Sequence, residues 1–159
     1  MTAIIAYCAG VIDSDGTIGI KCNSYSARVV KDCRNASYSA RICVRQVTTE
    51  ALEILQATFG GSVRPAKTYA KRGRLMYSWE IRDQLAERAL KRLMPHLRIK
   101  KAQAQNCLAL RILIARSKRA RMAKGRGHAG ASHRPQDITD AMEIAFNNAK
   151  KLNRVGVQP

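Results

Sequence analysis

Cys8-Ala9-Gly10-Val11-Ile12-Asp13-Ser14-Asp15-Gly16 is the stretch on which the reading of this chain turns. It closes a small, apolar, proline-free run that begins at residue 2 and predicts a helix to about residue 14. Asp13-Ser14-Asp15-Gly16 ends that helix, with Gly16 as its C-terminal stop. Ala6, Gly10 and Asp13 fall on one face at helical spacing, flanked by Ala9. Small residues on one face let a second helix backbone come close, so these four are the candidates for a helix–helix seam. Two carboxylates two residues apart at a helix end suit a hard divalent cation, which prefers oxygen ligands. The same pair could simply make a cap or a turn. An EF-hand loop is excluded, because it would need an acid or Asn, Gly and Glu where the chain has Thr17, Ile18 and Ser24.

Outward from this run the pattern alternates hairpins with helices. Thr17 to Ser24 alternates with Ile18, Ile20 and Cys22 on one face. Tyr25 to Tyr38 is a polar, basic connection. Ser39 to Val47 alternates again, with Ala40, Ile42 and Val44 on one face and Ser39, Arg41, Cys43 and Arg45 on the other. Thr48 or Thr49 caps a helix to about Phe59, which Gly60-Gly61 ends. A second strand pair spans Ser62 to about Tyr69 and Leu75 to Arg82, joined by a tip carrying Lys71, Arg72 and Arg74. Asp83 caps the next helix, which Pro95 closes, and a longer helix runs from near Lys101 to about Arg116. The basic, Gly-containing stretch from Ser117 to Arg134 reads as a linker, and Asp137 caps a last helix to about Leu152. The expected class is α+β: an αββαββα core over residues 1–116 with a curved antiparallel sheet, a linker over 117–134, and an extra C-terminal helix and tail over 135–159.

Composition limits the function. The 159 residues hold 29 Lys and Arg against 11 Asp and Glu, a formal net charge of +18. Such an excess implies a polyanionic partner, most often nucleic acid. A hydrophobic fraction of 46% argues for a folded domain. The five cysteines, Cys8, Cys22, Cys33, Cys43 and Cys107, show no CxxC spacing, which argues against zinc and for reduced thiols in an intracellular, reducing compartment. The apolar N-terminus lacks a basic leader region and is too short to span a bilayer, so neither a secretion signal nor a membrane partner is expected.

The quoted run resembles the signature of the LAGLIDADG homing endonucleases: Ala9, Gly10, Ile12, Asp13, Asp15 and Gly16 stand as in that motif, while Cys8, Val11 and Ser14 depart mildly from it. Val44-Arg45-Gln46 and Phe59-Gly60-Gly61-Ser62-Val63 look like the family's second strand and following helix. Pro95 to Gln103 looks like the segment that carries its active-site lysine. One motif in a chain of this length implies a homodimer in which two such helices pack side by side through Ala6, Ala9, Gly10 and Asp13. The resemblance further implies Mg²⁺ (Mn²⁺ as a substitute) held by Asp15 and the Ser14 carbonyl, Gln46 orienting a water and Lys100 stabilising the transition state, with no small-molecule cofactor. Asp13 is read as structural. The position shortly after Gln46 is often basic in the family, and here Thr48, Thr49 and Glu50 follow.

The implied substrate is a long, roughly palindromic double-stranded DNA site, cut in both strands to leave 3′ overhangs. Groove-facing candidates are Lys21, Asn23, Ser39, Arg41, Cys43, Arg64, Lys67 and Tyr77, with Arg28, Arg72 and Arg74 at hairpin tips. Arg28's neighbours Lys31 and Arg34, together with Lys71, are expected to reach outer bases or phosphates. Lys118, Arg119, Arg121, Lys124 and Arg126 read as backbone contacts. The alternatives are a non-catalytic DNA- or RNA-binding protein of the same fold, such as an intron maturase or regulator, and an unrelated basic RNA-binding protein. The latter accounts for the charge but not for the Asp13–Gly16 run beside Gln46 and Lys100.

Overall fold

The computed structural model describes residues 2–23, 37–66, 75–123 and 134–154. The expected first helix is α1, Thr2–Asp15, and the chain passes from it directly into β1, Gly16–Asn23. Ile5, Cys8, Ala9 and Ile12 form its buried face. Gly16 is required here for space and not for a left-handed turn. A Cβ at this position would lie 2.7 Å from the Ile12 carbonyl oxygen and 2.8 Å from the Ile12 Cα.

β2, Ser37–Gln46, pairs antiparallel with β1, placing Gly16 opposite Val44 and Lys21 opposite Ser39. α2, Glu50–Phe59, follows, then β3, Ser62–Ala66, and β4, Met76–Arg82. Thr49 precedes α2, but its side chain makes no capping hydrogen bond. The sheet order is β1-β2-β4-β3, so the two hairpins meet through β2 and β4. The result is an antiparallel, open, curved sheet with helices on one side, the α+β architecture expected from the alternation.

One face of the sheet buries Ile18, Ala40, Ile42, Val44, Trp79 and Ile81 under the helices. Burying the Ile and Val side chains contributes roughly 1.5–3 kcal/mol each. Trp79 donates its indole N–H to the Gly60 carbonyl at 2.9 Å and stacks at a tilt against Phe59. Gly60 and Gly61 have φ of 78° and 94°. A Cβ on Gly61 would sit 2.5 Å from Ile81 Cγ2 and 2.8 Å from the Glu80 carbonyl oxygen. Gly61→Ala should therefore cost roughly 1–3 kcal/mol of stability, from the strained φ and the overpacking together, read as a lower midpoint in urea unfolding. An unchanged midpoint would mean that the corner relaxes freely.

α3, Asp83–Leu93, and α4, Lys101–Ala123, complete the helical layer. Asp83 does not cap α3 as expected. It is the helix's first residue, with a left-handed φ of 50°, and Arg82 is the N-cap. Its carboxylate accepts a hydrogen bond from Ser39 Oγ at 3.0 Å and one from Arg111 at 3.3 Å. Arg111, on α4, also donates to Glu87 at 3.0 Å, tying α4 to α3. α4 continues through Ser117–Ala123, where the sequence reading starts a linker, and Ser117 is buried.

α5, Gln136–Arg154, packs on α4 and on the edge of β1. Ile138, Met142 and Ala145 join the main core cluster. Asn106 donates to the Ala145 carbonyl at 2.8 Å and Asn153 to the Ile18 carbonyl at 3.1 Å. The second bond satisfies a backbone group on an edge strand that would otherwise invite another chain to pair. Among the described residues no helix is long and apolar enough to cross a membrane. The Cys107 thiol, buried beneath β1 where it donates to the Gly19 carbonyl, is pushed up to about 12 by its burial.

Candidate active site

The C-terminal end of α1 gathers the polar residues of the motif. Asp15 is exposed, and the end of β2 brings Gln46 to it, so that Gln46 Nε2 donates to Asp15 Oδ2 at 2.9 Å. Asp13 turns to the segment that follows α3. Its carboxylate accepts the backbone N–H groups of Arg98 at 2.7 Å, Ile99 at 3.3 Å and Lys100 at 2.9 Å. Donors bonded to a charged acceptor are the stronger kind, so this clamp fixes the 98–100 segment against the helix end.

The clamp delivers Lys100. Its ammonium donates to the carbonyl oxygens of Ile12 at 2.8 Å, Asp13 at 2.6 Å and Ser14 at 3.4 Å. These are the orphan carbonyls at the negative end of the helix dipole, where a cation is stabilised. Burial pulls the lysine below its usual range, while the charges of Asp13 and Asp15 act in the opposite direction. Asp15, Gln46 and Lys100, distant in sequence, thus share one helix end.

The donor set suits a hard cation only in part. Among the described residues no group of three or more His, Cys, Asp or Glu could enclose a metal ion. What the chain offers is one exposed carboxylate beside helix-end carbonyls, including that of Ser14. Such a half-shell fits a divalent ion that draws its remaining oxygens from a phosphate or another chain, and does not fit a closed protein cage.

The sheet face away from the helices carries the charge. Its strand positions include Lys21, Arg41, Arg45, Arg64 and Arg82, interleaved with Thr17, Ser62 and Ser78. A cleft of about 570 Å³ opens between this face and α5, lined by Asp15, Lys21, Arg41, Arg45, Lys150 and Asn153 among others. Arg45 and Arg82 were not among the groove-facing candidates, although alternation from Arg41 and the pairing of Arg82 with Arg41 place both on this face. Three candidates need correction. Ser39 is buried with its hydroxyl committed to Asp83, and Cys43 is buried with Sγ 3.4 Å from Ser78 Oγ. Tyr77 shares the alternation of Trp79 and Ile81 and packs against the core. Lys67, Arg28, Lys31, Arg34, Lys71, Arg72, Arg74, Lys124 and Arg126 lie outside the described residues, as does the side chain of Asn23.

Of the four residues expected at a helix–helix seam on α1, two stand open and two do not. Ala6 and Gly10 are exposed, and a Cβ at Gly10 would meet no atom within 4 Å. Ala9 is fully buried in the chain's own core, because helical spacing sets it beside Ile5, Cys8 and Ile12. Asp13 is occupied by the 98–100 segment. Ile4 and Tyr7, 40% and 47% exposed, instead extend the open face with Ala6 and Gly10.

Homing endonucleases are among the solved structures similar to this chain. The homing endonuclease I-CvuI, in complex with the I-CreI target, superposes with a TM-score of 0.66 at 21% identity, over 93% of this chain and 80% of that one. I-TnaI gives a TM-score of 0.58 at 17% identity, over 94% and 93% of the two chains. The archaeal intron-encoded I-Vdi141I, complexed with DNA, gives 0.55 at 15% identity, over 94% and 96%. No protein-family model matches the sequence, and no curated protein matches it either. With the Cys8–Gly16 run closing its first helix and opening β1, and with these neighbours for its architecture, the chain has the fold of the LAGLIDADG homing endonucleases.

Proposed function

We propose that this chain is a site-specific endonuclease that binds a long, roughly palindromic double-stranded DNA site as a homodimer and hydrolyses both strands, leaving 3′ overhangs. The observation that carries this reading is the meeting of Asp15, Gln46 and Lys100 at one helix end, at the rim of a basic sheet face. A face of this charge binds phosphates and supports side-chain readout in the major groove. Structural neighbours solved with DNA, one of them with Mg²⁺ and another with Ca²⁺, support the substrate class and the use of a divalent ion.

In this reading Asp15 and the Ser14 carbonyl would hold Mg²⁺, with Mn²⁺ as a substitute. Bound there, it would supply stabilisation of charge developing on the phosphate and acidify a water. Gln46 keeps the Asp15 carboxylate in place and orients the attacking water. Lys100 puts a positive charge next to the phosphate, held by the helix end so that it need not reorganise during reaction. Asp13 acts on Lys100 through the backbone of residues 98–100 and has no contact with substrate.

The described residues of one chain form one such site, and cutting two strands calls for two. The exposed Ile4, Ala6, Tyr7 and Gly10 form an apolar strip on α1 against which the same strip of a second copy can pack about a two-fold axis. A randomised duplex library cleaved with Mg²⁺ tests the reading. The expected product is one near-palindromic site cut in both strands with two chains bound per site, measured by sedimentation. Gly10→Glu, which sets like charges face to face at the seam, should leave a folded monomer that cuts neither strand efficiently. Tight binding of one site without cutting in Mg²⁺ or Mn²⁺ would make the protein a binding module.

A further inference from the structure

The basic face of the sheet holds one acid that the proposed reaction does not use. Glu80 stands on β4 opposite Cys43 of β2 and Ser62 of β3. The paired Arg41 and Arg82 flank it on one side in the next row, and Arg45, Ser78 and Arg64 line up on the other. It is the only acid among the described strand positions of this face. Glu80 Oε2 lies 3.0 Å from Arg41 Nε, and Oε1 accepts a hydrogen bond from Arg82 Nε. The Arg41 contact is an ion pair by distance, although its N–H is not directed along it, so charge rather than hydrogen-bond geometry holds Arg41. The Glu80 side chain is 25% exposed, at the edge of an open hollow shared with Ser62, Arg64, Ser78 and Arg82.

An acid on a face that meets polyphosphate repels it, so it weakens binding to every sequence alike. A carboxylate that accepts from Arg82 Nε and holds Arg41 by charge also restricts where both side chains can swing, leaving their terminal amino groups as the donors for a ligand. An arginine so restricted can present its paired amino groups to a base edge at a lower entropic cost, whereas a loose arginine reaches the nearest phosphate. We propose that Glu80 is a specificity-determining residue of this face: it holds Arg41 and Arg82 for base edges and keeps them from backbone phosphates. The proposal rests on the DNA-binding reading above.

Glu80→Gln keeps the shape and removes the charge. Binding by the full-length chain would be measured without divalent metal, so that nothing is cut, across a range of salt. Two duplexes serve as probes: the site selected by the unmutated chain and a random-sequence duplex of the same length. The expected result is tighter binding to the random duplex, with a salt slope steeper by about 1–2 because each freed arginine adds roughly 0.9. Preference for the selected site over the random duplex should fall roughly ten-fold or more. Adding Arg41→Gln to the same chain should bring the slope back toward its original value. Unchanged slope and preference overturn the proposal. Equal weakening on both duplexes also overturns it, since a residue that merely supports the fold would behave that way. If the unmutated chain selects no site, the DNA-cleavage reading fails and this proposal fails with it, whereas a selected site that loses no preference in Glu80→Gln removes only this proposal.

Discussion

Asp15→Asn should bind the selected duplex with nearly unchanged affinity and cut it at least on the order of a thousand-fold more slowly. Asparagine matches aspartate in shape, and its side-chain oxygen can still accept the hydrogen bond that Gln46 donates at 2.9 Å. The helix end and the 98–100 segment are held by Asp13 and Lys100, so neither should move. What disappears is one negative charge and the only carboxylate this helix end leaves exposed for a hard cation. Affinity should rise slightly if it changes at all, since an anion beside the phosphates is gone. Single-turnover cleavage of pre-bound DNA separates binding from chemistry. A rate within ten-fold of the parent's would show that Asp15 is no more than the polar end of a helix.

Most of the architecture was legible because its signals are local. Period-two alternation in residues 17–24 and 39–47 gave the first hairpin, and Gly60-Gly61 gave the turn out of the second helix. The boundaries that failed were decided by tertiary packing. Ser117–Ala123 reads as linker because it is basic, yet it continues α4, with Ser117 buried and accepting a hydrogen bond from Arg134 Nε at 3.3 Å. Tyr77 lies on the core face and not on the groove face expected of it, although its spacing from Trp79 and Ile81 carries that signal. Ser39 and Cys43 obey the alternation but are covered by Asp83 and Ser78, contacts that no local pattern reports. The candidate site was legible through resemblance rather than spacing. Nothing in the residues alone separates Lys100 from Lys101 or Arg98, and only the fold shows which one reaches the end of α1. Glu80 carries no local signal, because an acid in a strand stands out only once its neighbours across the sheet prove to be arginines.

Lys100→Met separates the two things that lysine does. Methionine can occupy the apolar path of the stem, but the carbonyls of Ile12, Asp13 and Ser14 lose their shared donor. Leaving such groups unsatisfied costs about 1–3 kcal/mol, so the midpoint of unfolding should fall. The Asp13 clamp remains, because it bonds the backbone of residue 100 and not its side chain, and the segment should keep its course. If Lys100 serves only as a helix cap, the folded fraction will bind and cut as before once concentration is corrected for unfolding. If it stabilises the reacting phosphate, cleavage of bound DNA should drop roughly 100- to 1000-fold, the range for losing one preorganised donor. Combining Lys100→Met with Asp15→Asn sharpens the distinction. Two residues that act on the same phosphate lose less together than the product of their separate losses, whereas independent structural defects multiply.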